Sequence, residues 1–516
     1  MLLDPHRTRL DALTACHPTG LATPLGALQS ILQPNQSLGQ RRPDRQIEAR
    51  QSKGLPNLTA VFDRFDIADG QTLSFHHHYR NGDRVMTFVL QEAQRRGLKN
   101  LTIAPSSLFP VHAPLVPLLE DETITHIVTD YMRGPVADAV AAGKLLGTAL
   151  LQSHGGRARA LSTGQLSVDV AFIAAPLANR QGDTTGRGGQ LPCGPLGYPA
   201  VDAAHARHAV VLTDLLIDGP LPNIDIPGHH VDAIVQMESP GSTDGIQSGT
   251  TIAAESATAR LIGGLVADCL EAAGAFTPDF SLQSGAGGYS LGAVVEIGKR
   301  MAETGVKGQF LSGGITGAHV ALVEQGLFAE IHDVQCFDGA AVRSSIHNPL
   351  HHMMTAETYA SPLLDTARVN ALSAMLLGAV EVDAGFNVNV VVGADGRMLG
   401  GPGGHPDAAA GAAISIVTTE LTGGGYAKLV PEVQAVVTPG HSVDVIVTDQ
   451  GIAVNPARPD LGAAFREARL PVRSFAALQH QAAAQADRTA SQLPPLEGRS
   501  FHTAIEARAG GVLDIL

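Results

Sequence analysis

Residues 400–407 read GGPGGHPD, so four glycines precede one histidine and one aspartate. Glycine permits positive φ angles and close approach of a ligand to the backbone. The helix predicted to start near Asp407 would add unpaired N–H groups. Donors placed in this way stabilise a developing oxyanion. We therefore expect Gly403, Gly404 and His405 to be catalytic, with His405 hydrogen-bonded to an acyl oxygen or thioester. Asp407 is expected to be the N-cap of the helix.

A related segment lies earlier in the chain, where residues 193–200 read CGPLGYPA. The Gly-Pro step, a second glycine and the later proline coincide in the two segments. Leu196 and Tyr198 of the first copy are replaced by Gly403 and His405 in the second. This loss of bulk predicts that the second copy lines the reacting group. The first copy is expected to be structural or to shape the site of another substrate.

Cationic side chains follow a predicted strand at His76, His77 and Arg80, and Arg133 follows another strand in YMRGP. A guanidinium can bind a carboxylate through two parallel hydrogen bonds. Successive side chains of an extended segment alternate faces, and no downstream spacing completes a metal set, so we predict no metal site here. Arg133 is equally compatible with a surface position before a helix. The SHGG of residues 153–156 fits either a donor-rich site or an ordinary loop.

A second glycine-rich loop, SGAGGYS, contains Gly285, Gly287 and Gly288 between a predicted strand and a predicted helix. Such a loop lets a phosphate or a pantetheine chain approach the backbone at the helix N-terminus. It is equally compatible with a tight turn. Ser290 occupies the third glycine position of the dinucleotide-binding fingerprint, so that function is disfavoured. GYSLG also matches the nucleophile elbow formally, but the strand ends too early for a serine hydrolase.

The bulk composition narrows the class of protein. A chain of 516 residues suggests two to four domains. A net charge of −14 disfavours nucleic acid and anionic membranes as partners. The four cysteines form no CxxC pair, which fits a reducing compartment. Because no apolar stretch reaches membrane-spanning length, we predict a soluble cytoplasmic protein.

The sequence contains an internal duplication, and the secondary-structure elements of the two copies must position these residues. Six units recur in the same order, for example SVDVAFIAAPLANRQGD and EVDAGFNVNVVVGADG. Short apolar runs alternate with helical patterns, which is typical of α/β proteins. Each copy is predicted to be an open, mainly parallel sheet with helices on its faces and ligand sites at the carboxyl ends of its strands. The predicted parts are an N-terminal extension (1–68), a first domain (69–254), a connecting helix (255–274), a second domain (275–475) and a C-terminal tail (476–516).

From about residue 70 to at least residue 460 the sequence resembles the α subunits of citrate lyase. The resemblance rests on strings such as SFHHHYRNGD, MRGPVADAV, LQSGAGG, FNVNVVVGADG and GGPGGHPDAA. It implies two tandem, internally duplicated CoA-transferase domains of the doubly wound type. It also implies a cytoplasmic complex with a citryl-lyase β subunit and an acyl carrier protein as γ subunit. The dephospho-CoA-derived arm of that carrier bears the acyl thioester, and no permanent cofactor or metal is expected in the α subunit.

The implied reaction converts acetyl-carrier and citrate into citryl-carrier and acetate. Citrate carboxylates are ionised near pH 7, so the nucleophile needs no general base and can form a mixed anhydride directly. The residues expected to bind citrate are His76, His77, Arg80, Ser106, Ser107 and Arg133. The residues expected to bind the CoA-derived arm are Gly285, Gly287, Gly288, Asn387 and Asn389.

No acyl-enzyme is expected. Related covalent CoA-transferases carry a glutamate that aligns near Gly313, and residues 311–323 contain no aspartate or glutamate. Glu381 is the nearby alternative carboxylate. Other functions remain open: an equivalent transferase acting on citramalate, another CoA-transferase or acyl-CoA hydrolase of the same fold, or a non-catalytic ligand-binding module. The sequence does not separate citrate from citramalate.

Overall fold

The computed structural model describes residues 53–76, 78–247, 251–490 and 503–516. His77 and most of the predicted N-terminal extension lie outside the described residues. The strands before residue 240 are β1 (Gly54–Leu55), β2 (Thr72–His76), β3 (Leu101–Pro105), β4 (Ile124–Thr129), β5 (Ala149–Leu151), β6 (Val170–Asn179), β7 (Thr184–Thr185), β8 (His208–Ile217) and β9 (Ala233–Gln236). The helices of this part are α1 (Leu58–Arg64), α2 (Val85–Arg95), α3 (Val116–Glu120), α4 (Pro135–Ala141), α5 (His154–Ser162) and α6 (Gly197–His205).

The remaining elements follow after a gap at residues 248–250. The strands are β10 (Ser281–Ser284), β11 (Gly308–Ile315), β12 (Phe328–Cys336), β13 (His351–Met353), β14 (Ala374–Gly378), β15 (Glu381–Val382), β16 (Val388–Asn389), β17 (Ile414–Thr419), β18 (Thr422–Gly423), β19 (Tyr426–Ala427), β20 (Val445–Thr448), β21 (Gly451–Val454), β22 (Thr503–Glu506) and β23 (Val512–Ile515). The helices are α7 (Ala257–Ala272), α8 (Gly288–Thr304), α9 (Gly317–Glu324), α10 (Gly339–His347), α11 (Ala356–Ala360), α12 (His405–Gly411), α13 (Pro459–Glu467) and α14 (Phe475–Gln485).

Two large sheets form the architecture. The first has the order β1-β9-β8-β6-β2-β3-β4-β5-β22-β23, with β7 paired to β6. The second has the order β13-β12-β11-β10-β14-β17-β20-β21. Within both sheets the pairs are parallel except β6–β7, β22–β23 and β20–β21. The predicted fold class, two open and mainly parallel sheets with helices, is confirmed.

The central strands show why the chain folds in this way. All ten residues of β6, VAFIAAPLAN, are buried, as expected for a parallel strand covered on both faces. The predicted helix stops also hold, because α2 and α8 are followed by Gly97 and Gly305, whose φ angles are 74° and 72°. Glycine adopts this left-handed conformation without a Cβ penalty, so it ends the helix and returns the chain to the sheet.

Both ends of the described chain join the first sheet. β1 pairs with β9, and α1 follows it within residues 53–68. β22 pairs with β5 in parallel, so residues 503–506 of the predicted tail extend the same sheet. Between the two copies α7 packs on α8, with Ile262, Val266 and Leu270 buried on its inner stripe. Among the described residues, no helix is long and apolar enough to cross a membrane.

Candidate active site

A cavity of about 470 Å³ lies where loops from the carboxyl ends of both sheets meet. One wall comes from the first copy and the other from the second. The lining residues of the first copy are Arg80, Ser107, Phe109, Tyr131, His154 and Tyr198. Those of the second copy are 283–290, Gly314, Gln335, Phe337, Tyr359, Met375, 377–380, Val390, 399–405, Thr418 and Lys428. The two copies thus form one site, at the strand ends where parallel sheets bind ligands.

The GGPGGHPD loop contacts the first copy directly. The amide of His154 donates to the carbonyl oxygen of Gly403 at 2.9 Å. The amide of Gly403 donates to the carbonyl oxygen of Asp130 at 3.1 Å. A side chain at Gly401 would collide with the backbone of Asp130, and one at Gly404 would collide with the Tyr359 hydroxyl. Glycine is therefore required at residue 401 because the two copies approach each other there, and at residue 404 because the loop packs on Tyr359 of its own copy. At Gly403, whose φ is +51°, a Cβ would collide with nothing and would lie 3.5 Å from His154 Nε2, an ordinary contact distance.

His405 lines the cavity, but the protein itself uses both of its ring nitrogens. Nε2 lies 2.9 Å from the carbonyl oxygen of Gly378 and Nδ1 lies 2.6 Å from the hydroxyl of Thr438. The carbonyl can only accept, so Nε2 carries the proton and Nδ1 accepts from Thr438. Burial lowers the pKa of His405 to about 4. The neutral ring fixes the loop and offers no spare nitrogen to an acyl group.

Asp407 is the third residue of α12, whose N-cap is Gly404, so the prediction that Asp407 is the N-cap is wrong. Its carboxylate instead accepts from the Ser153 hydroxyl at 2.9 Å and from the Gly155 amide at 2.8 Å. Arg508 Nε lies 3.2 Å from the same group. Burial raises the pKa of Asp407, and these donors oppose that shift. Asp407 therefore holds the first turn of α5, and with it His154, against the second copy.

Only some of the residues predicted to bind citrate line the cavity. Arg80 and Ser107 line the cavity. The Arg80 guanidinium lies 4.5 Å from the ring centroid of Phe337, and burial lowers its pKa only to about 10, so it remains a cation. Ser106 is buried behind the lining. His77 is outside the described residues.

His76 and Arg133 do not line the cavity. His76 Nε2 lies 2.8 Å from the buried carboxylate of Asp202, which also binds Arg157. These three side chains bind one another within the buried core of the first copy. Arg133 is half-buried and its backbone amide donates to Leu108. We leave both side chains out of the candidate site.

Only some of the residues predicted to bind the CoA-derived arm line the cavity. Gly285, Gly287 and Gly288 line the cavity, and Gly287 is the N-cap of the 17-residue helix α8. Asn387 and Asn389 lie off the lining. Asn387 bonds to Asp383 and to the Gly440 amide. The amide group of Asn389 donates to Glu381 at 2.9 Å and is fully buried. Both asparagines therefore hold loops of the second copy together.

Several cavity residues were not selected from the sequence. His154 Nδ1 lies 2.8 Å from Asp130 Oδ2, and its imidazole is tilted by 48° to the ring of Tyr198 at a centroid distance of 4.6 Å. Tyr359 accepts a hydrogen bond from Gln283 at 2.6 Å. Lys428 lies where the main cavity meets a smaller one of about 300 Å³, and burial lowers its pKa to about 8. The SHGG string pointed to His154 in the sequence, but its contact with Asp130 is formed only in the folded protein.

None of the described residues lining the main cavity carries a carboxylate. Glu381 lines the neighbouring smaller cavity, and its oxygens accept from Asn389 and from the backbone and side chain of Gln434. A side chain at Gly313, whose φ is +99°, would collide with Gln283. The site therefore presents cations, hydroxyls and backbone amides, which suit an anionic substrate and a carbonyl that gains negative charge.

Within the described ranges, one cluster has the residue types of a metal site, Asp333, Cys336 and His351. Its members are buried outside the cavity lining. Cys336 Sγ donates to Asp333 Oδ2 at 3.0 Å, and His351 Nε2 lies 3.0 Å from the same oxygen. Burial holds the pKa of Cys336 well above its ordinary value. These groups satisfy one another by hydrogen bonding.

The two sheets, each with mainly parallel strands, share a cavity lined by glycines and cationic side chains. This arrangement is typical of an α/β enzyme that binds an anionic substrate. The family model described as citrate lyase, alpha subunit (CitF), matches residues 51–516. The chain belongs to this family, whose members are the citrate CoA-transferase component of citrate lyase. The transferase function and the family resemblance predicted from the sequence are thereby confirmed.

Individual relatives agree with this assignment. The chain is 38% identical over 470 residues to the citrate lyase alpha chain of Klebsiella pneumoniae, covering 91% of this chain and 92% of the relative. It is 39% identical over 435 residues to that of Escherichia coli strain K12, covering 84% and 85%. A Streptococcus mutans structure assigned as a citrate lyase alpha subunit in complex with citrate has a TM-score of 0.88 and 37% identity, covering 92% of this chain and 93% of that one.

Proposed function

We propose that this subunit exchanges acetyl for citryl on the CoA-like arm of an acyl carrier protein, through a mixed anhydride and without an acyl-enzyme. The main support for this proposal is the cavity lining, which contains Arg80 and Lys428 but no carboxylate among the described residues. Citrate supplies the attacking carboxylate itself, so the protein needs to orient it. Orientation of two reactants can contribute about 7–11 kcal/mol of barrier reduction.

Citrate occupies the wall formed by the first copy. Arg80 and Ser107 remain from the predicted set, and the guanidinium presents planar donors toward the cavity from between two aromatic rings, Phe109 and Phe337. Stacking on these rings restricts the rotamers of the long side chain. The citrate complex of the S. mutans relative supports citrate as the ligand. Citramalate, which lacks one carboxymethyl arm, is the second candidate substrate.

The thioester arm occupies the wall formed by the second copy. Gly285, Gly287 and Gly288 let it pass close to the backbone, and the N-terminus of α8 adds positive potential. Within the described part of the chain, the amide of Gly404 forms no hydrogen bond with another residue. We assign this amide to the thioester oxygen. A single donor so placed contributes about 2.7–4 kcal/mol in the transition state.

The proposed partners are those that the resemblance to the family implies. The arm is the dephospho-CoA-derived group of the γ carrier subunit, and the product is passed to the citryl-lyase β subunit in a cytoplasmic complex. The α subunit itself holds no permanent cofactor or metal in this proposal. The family's description as a lyase subunit supports membership of a multisubunit enzyme.

The test is to incubate the purified subunit with acetylated carrier protein and either citrate or citramalate. We expect citryl-carrier and acetate to form in equal amounts, with citrate preferred. Borohydride reduces a protein-bound thioester and permanently inactivates enzymes that use one. Treatment in the presence of acetyl-carrier should therefore leave activity intact and add no mass to peptides containing Glu381. Inactivation that depends on the thioester would refute the direct anhydride route, and absence of any transfer would refute the function.

A further inference from the structure

The pair formed by His154 and Asp130 has the geometry of an acid–base dyad. His154 Nδ1 lies 2.8 Å from Asp130 Oδ2, and the Asp130 side chain is fully buried. Ionised aspartate can only accept, so Nδ1 carries a proton and Nε2 is the nitrogen left to exchange one. The other oxygen, Asp130 Oδ1, forms no hydrogen bond with any of the described residues. The negative charge of Asp130 is therefore directed at the imidazole.

Nε2 of His154 faces the reaction cavity. The imidazole is one-fifth exposed and lines the cavity wall. A Cβ built on Gly403 would lie 3.5 Å from Nε2, so this nitrogen lies directly beside the glycine loop. Tyr198 and Tyr359 flank the ring at centroid distances of 4.6 and 6.5 Å. His405, the other histidine of the lining, has both nitrogens bonded to the protein and cannot substitute.

Three further contacts fix the position of His154. Its amide bonds to the Gly403 carbonyl, and its neighbours Ser153 and Gly155 bond to Asp407. The ring is therefore held from the first copy through Asp130 and from the second through Asp407. A surface histidine that merely solvates a loop would not require this support.

We infer that His154 is a catalytic acid–base residue that protonates the departing thiolate and later deprotonates the thiol, and that Asp130 is its positioning residue. This inference rests on the proposed transfer reaction. Attack by citrate needs no base, but the sulfur that leaves is an alkyl thiolate, whose conjugate acid has an ordinary pKa of about 8.5. The competing leaving group is the citrate carboxylate, whose conjugate acid has an ordinary pKa of about 4, so protonation of sulfur favours cleavage of the C–S bond over return of citrate.

One proton leaves His154 in the first step of the reaction and returns to it in the second. The first step starts with His154 protonated at both ring nitrogens: a citrate oxygen bonds to the acetyl carbon, the C–S bond breaks, and the Nε2 proton moves to sulfur. The products are the mixed anhydride, the thiol and neutral His154. In the second step sulfur bonds to the citryl carbonyl carbon and its proton returns to Nε2. The anhydride C–O bond breaks and acetate leaves with the electron pair.

The test compares two acetyl donors that differ in their leaving thiol. Acetyl-CoA releases an alkyl thiolate that benefits from protonation, and the acetyl thioester of an aryl thiol releases a thiolate that is stable without it. We expect His154→Gln to reduce citryl thioester formation from acetyl-CoA by about 10²-fold or more. With the aryl thioester the loss should be under about tenfold. Asp130→Asn should show the same unequal losses, which a purely structural role would not produce.

The matched control is His347→Gln, because His347 lies on α10 in an outer groove away from the cavity. This variant should behave as wild type with both thioesters. Citrate binding measured by calorimetry verifies folding, and His154→Asn replaces His154→Gln if that variant does not bind citrate. Equal losses with the two thioesters, or no loss, would overturn the inference while leaving the transferase function intact. If the wild-type protein formed citryl thioester neither from these two donors nor from the acetylated carrier protein, the proposed function would fail and the inference with it.

Discussion

Asp407 accepts a hydrogen bond of 2.8 Å from the amide of Gly155, which lies 252 residues earlier in the chain. The same carboxylate accepts from the Ser153 hydroxyl at 2.9 Å. These two bonds join the first turns of α12 and α5, one helix from each copy. The active-site wall is therefore a product of the contact between the two copies, and Asp407 is its central polar group.

Replacement of Asp407 by alanine should destabilise the protein by about 3 kcal/mol, because buried donors of Ser153 and Gly155 lose their acceptor. Transfer activity should fall as well, since His154 loses its support. Thermal unfolding and acetyl transfer measure the two effects. Asp365→Ala, at an exposed position, is the control. In a double-mutant cycle Ser153→Ala should couple to Asp407→Ala, and additive effects would show that the contact is unimportant.

Leucine at Gly403, the residue found at this position in the first copy, should depress transfer strongly while the protein remains folded. Its side chain would point toward His154 Nε2 and into the cavity. The positive φ adds about 1–2 kcal/mol of strain. Gly396→Leu is a matched control, because Gly396 has a φ of +79° with no atoms near its Cβ direction. Equal activity in the two variants would remove the Gly403 loop from the mechanism.

Arg80→Lys should raise the KM for citrate more than the KM for the acyl carrier protein. Lysine keeps the charge but loses the planar fork and the stacking on Phe109 and Phe337. A rise of at least about tenfold corresponds to the loss of one bidentate contact of about 1.4 kcal/mol. Arg133→Lys is the paired control and should leave both constants near wild type. A larger effect at Arg133 would move the citrate site to the end of β4.

Lys428 should make citrate use depend on pH in the alkaline range. Burial lowers its pKa to about 8, so the ammonium is present below pH 8 and is lost as pH rises through that value. Attraction for an anionic substrate should fall with it, and kcat/KM for citrate should bend downward above about pH 8. Lys428→Arg, which stays charged, should abolish this bend. A bend that persists in Lys428→Arg would assign the titration to another group.

Several features followed from the sequence alone. Glycine and apolar patterning are local properties, so the helix stops at Gly97 and Gly305 and the buried strands could be predicted correctly. The repeated order of units determined the two parallel sheets. The glycine loops at Gly285 and Gly403 could be placed at the cavity because parallel strands present their carboxyl ends on one edge.

Only the tertiary structure decided which polar side chains face the cavity. His76 is the last residue of β2 and Arg80 lies four residues further on, yet His76 binds a buried aspartate and Arg80 reaches the cavity. Asn389 and His405 have chemically suitable side chains, but their polar atoms are already bonded within the protein. The pairing of His154 with Asp130 and the placement of Lys428 depend on contacts between segments far apart in the chain. Local patterns fix which elements form, whereas the direction of a polar side chain depends on the partners that the packed fold brings within hydrogen-bonding distance.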